Sequence, residues 1–396
     1  MIKKDQTAKV FLGNSLIPHD PHSRDPGDQL PETKYRFNRM LSNPPFGVTW
    51  GGKDGYELEA RKLLKTRYSA GLPRVNDGAL LFLQTMLAKM IAPNDGGSRI
   101  AIVFNGSPLS NGDCGSGESE IRRWILENDW LDAIVMLPDQ LFYNTGIFTY
   151  VWLLRNDKPA DHRGRVMLID ARQQFEKEPK AFGNKRNRMT DAHRQWIERH
   201  YHDGWALAYD DPNVKLFRTE DFAFHKVKVV FWQTDARDQP ATLTEPYEKA
   251  FTAANLKKEQ EFHDSEITFR VRVKVDGQEK TITIALKPTD SAAKKLKTAL
   301  GQTLGDWPEM VSVEWTHRHY LADDEYIPHG EDIAAFLKRE IAKPIIRWED
   351  SPQLGYEILP NKYFYRYQPP TPAKDLLAQF WALEKDAEKM LEGLAK

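Results

Sequence analysis

Met40-Leu41-Ser42-Asn43-Pro44-Pro45-Phe46-Gly47 is the stretch on which the fold of this chain turns. Phe37, Met40 and Leu41 make an apolar lead-in that suits a buried β-strand. Two consecutive prolines then stop it, because proline has no N–H to give to a ladder. Asn43 and Phe46 are therefore expected at the carboxyl end of a strand, where open α/β sheets place their ligand sites. The plain alternative is a Pro-Pro turn that only closes the strand.

The 396 residues suffice for two or more domains, each with a substantial core. A formal net charge of −1 gives no global basic field, so any contact with nucleic acid is local or shared with a partner. The single cysteine, Cys114, excludes an internal disulfide framework and fits a reducing cytoplasm. No apolar run approaches a membrane span, and Met1-Ile2-Lys3-Lys4-Asp5 lacks the apolar core of a signal peptide. Eleven tryptophans in a chain without repeats or long low-complexity tracts argue for a globular protein.

Outward from the opening stretch, Lys9–Leu12 reads as a short strand ended by Gly13-Asn14-Ser15-Leu16. Asn14 at that strand end has the chemistry to hydrogen-bond an adenine ring, although strand-then-turn is the commoner meaning. Residues 17–36 read as a loop, and the irregular spacing of His19 and His22 does not suit a metal site. Val48–Leu72 is polar and glycine-bearing, with Trp50 expected to be exposed, and suits a mobile loop over a site. Asn76-Asp77-Gly78 caps a helix over Ala79–Ile91. Arg99–Phe104, Leu131–Leu137, Tyr150–Leu154 and Arg165–Asp170 read as strands, and Glu118–Glu127 and Thr190–Tyr201 as helices. Short apolar strands alternating with helices argue for a parallel-type sheet covered on both sides. Phe175–Arg188 interleaves Phe175 and Phe182 with five cations, suited to phosphates or simply to solvent. A domain boundary is expected near Asp203-Gly204. Beyond it, Ile267–Val275 and Lys280–Leu286 flank Asp276-Gly277, a hairpin signal. Glu331–Ile341 and Pro372–Leu394 are amphipathic helices, the latter striped by Leu376, Leu377, Phe380, Leu383 and Leu391 for a partner helix or for this chain's own core. His200-x-His202 and His317-x-His319 read as surface histidines.

Asn-Pro-Pro-aromatic is the signature of amino-group methyltransferases, and its chemistry is legible. An exocyclic base amine is a poor nucleophile because its lone pair is delocalised into the ring. The Asn43 amide oxygen and the Pro44 carbonyl are suited to accept both N–H hydrogens and free that lone pair. Pro44 and Pro45 stiffen the array, and Phe46 offers a face on which a flipped base stacks. With Ser42–Gly47, Asp77–Gln84 and Leu137-Pro138-x-x-Leu141-Phe142-Tyr143-x-Thr145-Gly146-Ile147, the chain resembles the modification subunit of type I restriction-modification systems, the N6-adenine DNA methylase family. Leu12–Leu16, Asp323–Pro328, Gly355–Ile358 and Phe364–Pro370 echo the same family.

The resemblance implies a partial Rossmann-like, S-adenosylmethionine-dependent methyltransferase sheet over 1–204. A mixed α+β region with amphipathic helices over 205–396 is expected to dock a partner. It implies catalytic roles for Asn43, Pro44, Pro45 and Phe46, a contact from Asn14 to S-adenosylmethionine, and a base pocket shaped by Phe142, Tyr143, Thr145 and Gly146. Gly146 is expected to permit a close backbone approach. No metal is implied. The implied partners are DNA, a specificity subunit, a restriction (motor and nuclease) subunit and a separate amino-terminal methyltransferase fragment. That last partner follows from a departure. The family's cofactor glycine loop belongs upstream of Gly13, so the chain reads as the carboxyl-terminal portion of such a subunit, with a bare edge on the Asn43 strand. The competing reading is a catalytically inactive assembly module.

Overall fold

The structure, a computed structural model, describes residues 10–301, 309–341, 345–348 and 351–394, apart from Asp54, Leu207, Asp238, Asp264 and Gln368. In the first half the strands are β1 (Arg39–Ser42), β2 (Arg99–Phe104), β3 (Leu131–Leu137), β4 (Thr149–Arg155), β5 (Arg165–Asp170) and β8 (Val214–Arg218), with a separate hairpin of β6 (Glu176–Phe182) and β7 (Lys185–Arg188). The longer helices are α1 (Ala79–Ala88), α2 (Gly117–Glu127) and α3 (Asp191–Asp203). Among the described residues the sheet has six strands in the order β1-β2-β4-β3-β5-β8.

The sheet is mixed, not wholly parallel as its pattern suggested. β1 runs parallel to β2 and β3 to β5, while β4 is antiparallel to both β2 and β3 and β8 is antiparallel to β5. The reason lies in the connection. Residues 138–148 contain no helix, and a parallel return needs a crossover of roughly a dozen residues or more, usually helical. β8 also carries this sheet past the boundary expected at Gly204.

Apolar residues of α1, α2 and the strand faces, among them Leu83, Ile102, Phe104, Ile121 and Trp152, form the main core. β1 is not the buried strand its lead-in suggested. Only Met40 leans on the core, Leu41 is 85% exposed, and β2 is its sole ladder partner among the described residues. Val10, Phe11 and Leu12 are exposed and form no strand, having no neighbouring strand with which to pair.

The second half is built on β9 (Ala223–Trp232), which pairs antiparallel with β14 (Tyr320–Pro328), β15 (Ile345–Trp348) and β16 (Gln353–Tyr356). Between β9 and β14 sits a subdomain of β10 (Thr242–Pro246), α4 (Ala253–His263), β11 (Ile267–Val275), β12 (Gln278–Leu286), α5 (Ala292–Leu300) and β13 (Glu309–Arg318), with its own core around Phe269 and Leu296. Asp276 (φ 52°) and Gly277 (φ 77°) make the tight turn that the Asp-Gly pair demands. α6 (Ile333–Glu340) packs Leu337 against β9.

The tail then returns to the first sheet. The buried Arg122 guanidinium on α2 donates to the Tyr356 carbonyl at 2.6 Å and to the Asn111 carbonyl at 2.8 Å, and Tyr356 N–H donates to Ser119 at 3.0 Å. Burial pulls the Arg122 pKa down to about 10. The last helix, α7 (Ala373–Leu394), leaves Leu376, Leu377, Phe380, Trp381 and Leu383 exposed, and the side chain of Leu391 lies outside the described residues. The histidine pairs are split. His200 and His317 are buried against Asp211 and Glu245, while His202 is exposed.

A buried charge network ties the Asn14 loop to the helical layer. Arg67 donates to Asp28 at 2.6 Å, to Glu32, and to the Ser15 carbonyl at 2.7 Å, while Lys89 meets Asp28 at 2.7 Å. Breaking one member of such a cluster leaves an uncompensated buried charge. Arg67→Ala is expected to destabilise the full chain by about 3 kcal/mol or more, read as a lower urea midpoint. An unchanged midpoint would show that the network carries no stability.

Candidate active site

β1 ends at Ser42, and Asn43-Pro44 leave the sheet at its carboxyl edge. Pro44 is buried, Phe46 half-buried and Asn43 exposed, and the Asn43 amide has no hydrogen-bond partner among the described residues. Gly47 turns the chain with φ 62°. The loop is then pinned at its far end. The Val48 carbonyl accepts from Gly78 N–H at 3.0 Å, Trp50 N–H donates to Val75 at 2.8 Å, and its indole donates to the Arg74 carbonyl at 2.9 Å.

Trp50 corrects the sequence reading, since it is fully buried. With Leu16, Ala60, Tyr68 and Leu81 it forms a small core, so the segment after the motif is packed rather than a free flap. Its apolar residues are too irregularly spaced to register as a helix or strand stripe. Leu16 in that core also holds the Asn14 turn beside this segment. Asn14 itself uses its amide oxygen locally, accepting from Leu16 N–H at 3.0 Å, which leaves only its NH2 outward.

The second loop, after β3, meets the first. The Phe46 and Phe142 rings lie edge to face with centroids 6.2 Å apart, although their strands are separated by β2 and β4. Tyr143 is exposed, and Phe142 bridges to Thr145 to close a tight turn. The Thr145 hydroxyl accepts from Ile147 N–H at 3.4 Å.

The close approach expected at Gly146 is not there. A Cβ on Gly146 would meet only Gln140 Cγ at 3.7 Å, an ordinary contact. The close approach is at Gly183, at the tip of the β6–β7 hairpin, with φ 59° and the Tyr143 carbonyl 2.5 Å from where a Cβ would stand. Asn184 N–H donates to that carbonyl at 2.9 Å, and Arg186 and Asn187 N–H donate to Gln140 at 3.0 and 3.1 Å. The hairpin thus braces the loop. Its signal was present as Gly183-Asn184 between two short runs, but masked by charge.

A cavity of about 490 Å³ opens at the carboxyl end of β2 and the amino end of β4, lined by Asn105, Ser107, Phe148, Tyr150, Asn361 and Lys362. The Ser107 hydroxyl lies 2.5 Å from Asp77, whose other oxygen accepts from Ala79 N–H at 3.1 Å, joining this wall to the start of α1. Burial pushes the Tyr150 phenol up, against the pull of Arg172. Neither Asn105 nor residues 359–362 were singled out from sequence, because no local pattern says that the tail folds back here.

The family model for N-6 DNA methylase matches residues 2–224, more than half of the chain, and the chain belongs to that family. The relatives it resembles are methylase subunits of type I restriction enzymes. It is 27% identical over 250 residues to the MjaVIII methylase subunit of Methanocaldococcus jannaschii, covering 61% of this chain and 39% of that one. It is 34% identical over 157 residues to the MjaIX subunit of the same organism, covering 40% and 26%. Among solved structures, the type I methyltransferase subunit from Streptococcus thermophilus is similar at 25% identity, covering 53% of this chain and 38% of that one with a TM-score of 0.40. The chain thus spans about 39% of the MjaVIII subunit's length.

Gly183→Ala is expected to lift the hairpin from the loop, with hydrogen exchange at the Asn184 and Arg186 amides rising by an order of magnitude or more while the β2 and β3 amides stay protected. Unchanged exchange would show that the loop does not need the brace.

Proposed function

We propose that this chain is a modification subunit of a type I restriction-modification system and acts on the exocyclic N6 amine of a flipped adenine in DNA. The observation that supports this reading best is the Asn43 loop itself. It stands at a strand's carboxyl end, with an amide that has no partner among the described residues beside a buried proline, and with Phe46 against Phe142 of a second loop. Asn43 and the Pro44 carbonyl accept the two amine hydrogens, Phe46 stacks on the base, and Phe142, Tyr143 and Thr145 close the pocket's other side. Tying both ends of the loop keeps these acceptors in place before substrate arrives. In this reading the chain through β8, past the expected boundary at 204, is the carboxyl-terminal part of a Rossmann-like catalytic domain, and the region beyond it docks the partner, with the apolar stripe of α7 meeting the specificity subunit. A restriction subunit completes the assembly.

In an active assembly, Asn43→Ala is expected to reduce methylation at least a hundredfold with DNA affinity nearly unchanged, checked by methyl incorporation beside a binding titration. Turnover near that of the unsubstituted protein would exclude Asn43 as the amine acceptor.

S-adenosylmethionine is the donor implied by the family. When bound it supplies an electrophilic methyl group. The described residues do not fit a complete cradle for it. Two of the three glycines in the turn before α2 are closed off by protein, since a Cβ on Gly117 would stand 1.8 Å from the Leu72 carbonyl and one on Gly112 2.4 Å from Ser116, and only Gly115 has open space around it. Asn14 offers a single free NH2 group. One such hydrogen bond contributes about 1 kcal/mol, whereas micromolar binding needs roughly 8 kcal/mol. Calorimetric titration of the 396-residue chain alone is expected to show negligible donor binding. A low-micromolar Kd would establish a complete donor site in this chain.

A further inference from the structure

The β6–β7 hairpin carries five cations, Lys177, Lys180, Lys185, Arg186 and Arg188, against two carboxylates, Glu176 and Glu178, a net +3 within a chain whose formal charge is −1. These cations divide into two groups. Lys185 pairs with Glu178 at 3.1 Å, Arg188 pairs with Glu176 at 3.1 Å, and Lys177 donates to Asn187 at 2.9 Å. Lys180 and Arg186 are exposed and make no ion pair among the described residues. The paired cations stiffen the hairpin, and the two unpaired ones are available to an outside anion.

Beside them is an aromatic surface. Phe182 is 50% exposed and Tyr143 66% exposed, with ring centroids 6.5 Å apart. Lys185 Nζ sits 5.3 Å from the Tyr143 ring centroid. Two large rings at the solvent boundary next to unpaired cations match a polyanion that also presents flat, apolar faces. The hairpin is held to the 138–147 loop by backbone hydrogen bonds from Asn184, Arg186 and Asn187. That loop touches Phe46 through Phe142. Whatever binds the hairpin is therefore placed in register with the Asn43 loop.

We propose that the β6–β7 hairpin is a DNA arm of the site, in which Lys180 and Arg186 hold backbone phosphates near the target base while Phe182 and Tyr143 stack on a base that loses its neighbour or partner. The proposal rests on the adenine-methylase reading and adds to it the element that grips the strand. Phosphate contacts fix the position of a nucleic acid without reading its sequence. The hairpin needs no sequence preference, and the neutral net charge of the whole chain is no obstacle to a local contact.

The test uses the full chain, a fluorescein-labelled duplex of arbitrary sequence and a single strand of equal length, with anisotropy titrations between 50 and 200 mM salt. The Lys180→Ala/Arg186→Ala double variant is expected to bind roughly tenfold more weakly at the lower salt. Its log K against log salt slope should be shallower by about 2, one for each lost phosphate. Phe182→Ala should weaken binding to the single strand roughly tenfold and to the duplex less, since stacking needs an open base. Lys294→Ala/Lys297→Ala, which removes two exposed cations from α5, should leave the slope unchanged. Circular dichroism checks that each variant is folded. If the unsubstituted chain binds DNA and the hairpin variant keeps its slope, or the α5 control loses as much, the arm is refuted and the methylase reading stands. If the unsubstituted chain binds neither probe, the hairpin is no DNA arm and the proposal is refuted, while the methylase reading is decided by Asn43→Ala in the assembly.

Discussion

Proline has no N–H to give, and Pro44 and Pro45, one residue past Ser42, end the pairing of β1 with β2 at four residues. Everything at the site follows from that stop. The chain must leave the sheet at its carboxyl edge, and burial of Pro44 fixes the direction in which it leaves. Trp50 anchors it again eight residues after the strand, through its indole hydrogen bond and full burial. Between those two fixed points stand Asn43 and Phe46. The arch is stiff because both feet are set, and the exposed Asn43 amide is left without an internal partner among the described residues.

The second loop has no such internal stop, and it is held from outside. Its residues Asp139, Gln140 and Tyr143 present carbonyls to the β6–β7 hairpin, which supplies N–H groups in return. Each bond contributes about 1 kcal/mol, and the Phe46–Phe142 pair adds a similar amount. No single contact fixes the pocket. Together they restrain two loops whose parent strands are not neighbours, and the geometry is set before any ligand enters.

The carboxyl-terminal half is coupled to this arrangement by a buried cation. Arg122 reaches from α2 to the Tyr356 carbonyl, and Ile358 and Phe364 complete the core of the first sheet. The exposed helix α7 begins nine residues beyond Phe364. A protein bound to its apolar stripe would thus be tethered close to the wall of the 490 Å³ cavity, which residues 358–362 help to form. The subdomain between β9 and β14 has a separate core and makes no part of that path.

The local statements of the sequence were sufficient where a signal is carried by adjacent residues. The prolines after β1, the apolar runs of β2, β3 and β5, the Asp276-Gly277 turn and the pairing of an Asn-Pro-Pro-Phe loop with a second aromatic loop were all legible, because hydrogen-bonding capacity, side-chain period and backbone φ are properties of a few consecutive residues. Contacts between distant segments were not. Trp50 is buried by Leu16 and Tyr68, Arg67 by Asp28, and Gly183 rather than Gly146 makes the close approach, since each depends on a neighbour brought from elsewhere in the chain. β4 is antiparallel because a helix-free connection of 11 residues cannot carry it back the other way, and β9 became the centre of a sheet only when β14, β15 and β16 arrived beside it. The sequence determined which residues end strands, turn the chain and carry unsatisfied polar groups. The tertiary structure decided which of them stand together, because packing and register are settled between segments and not within them.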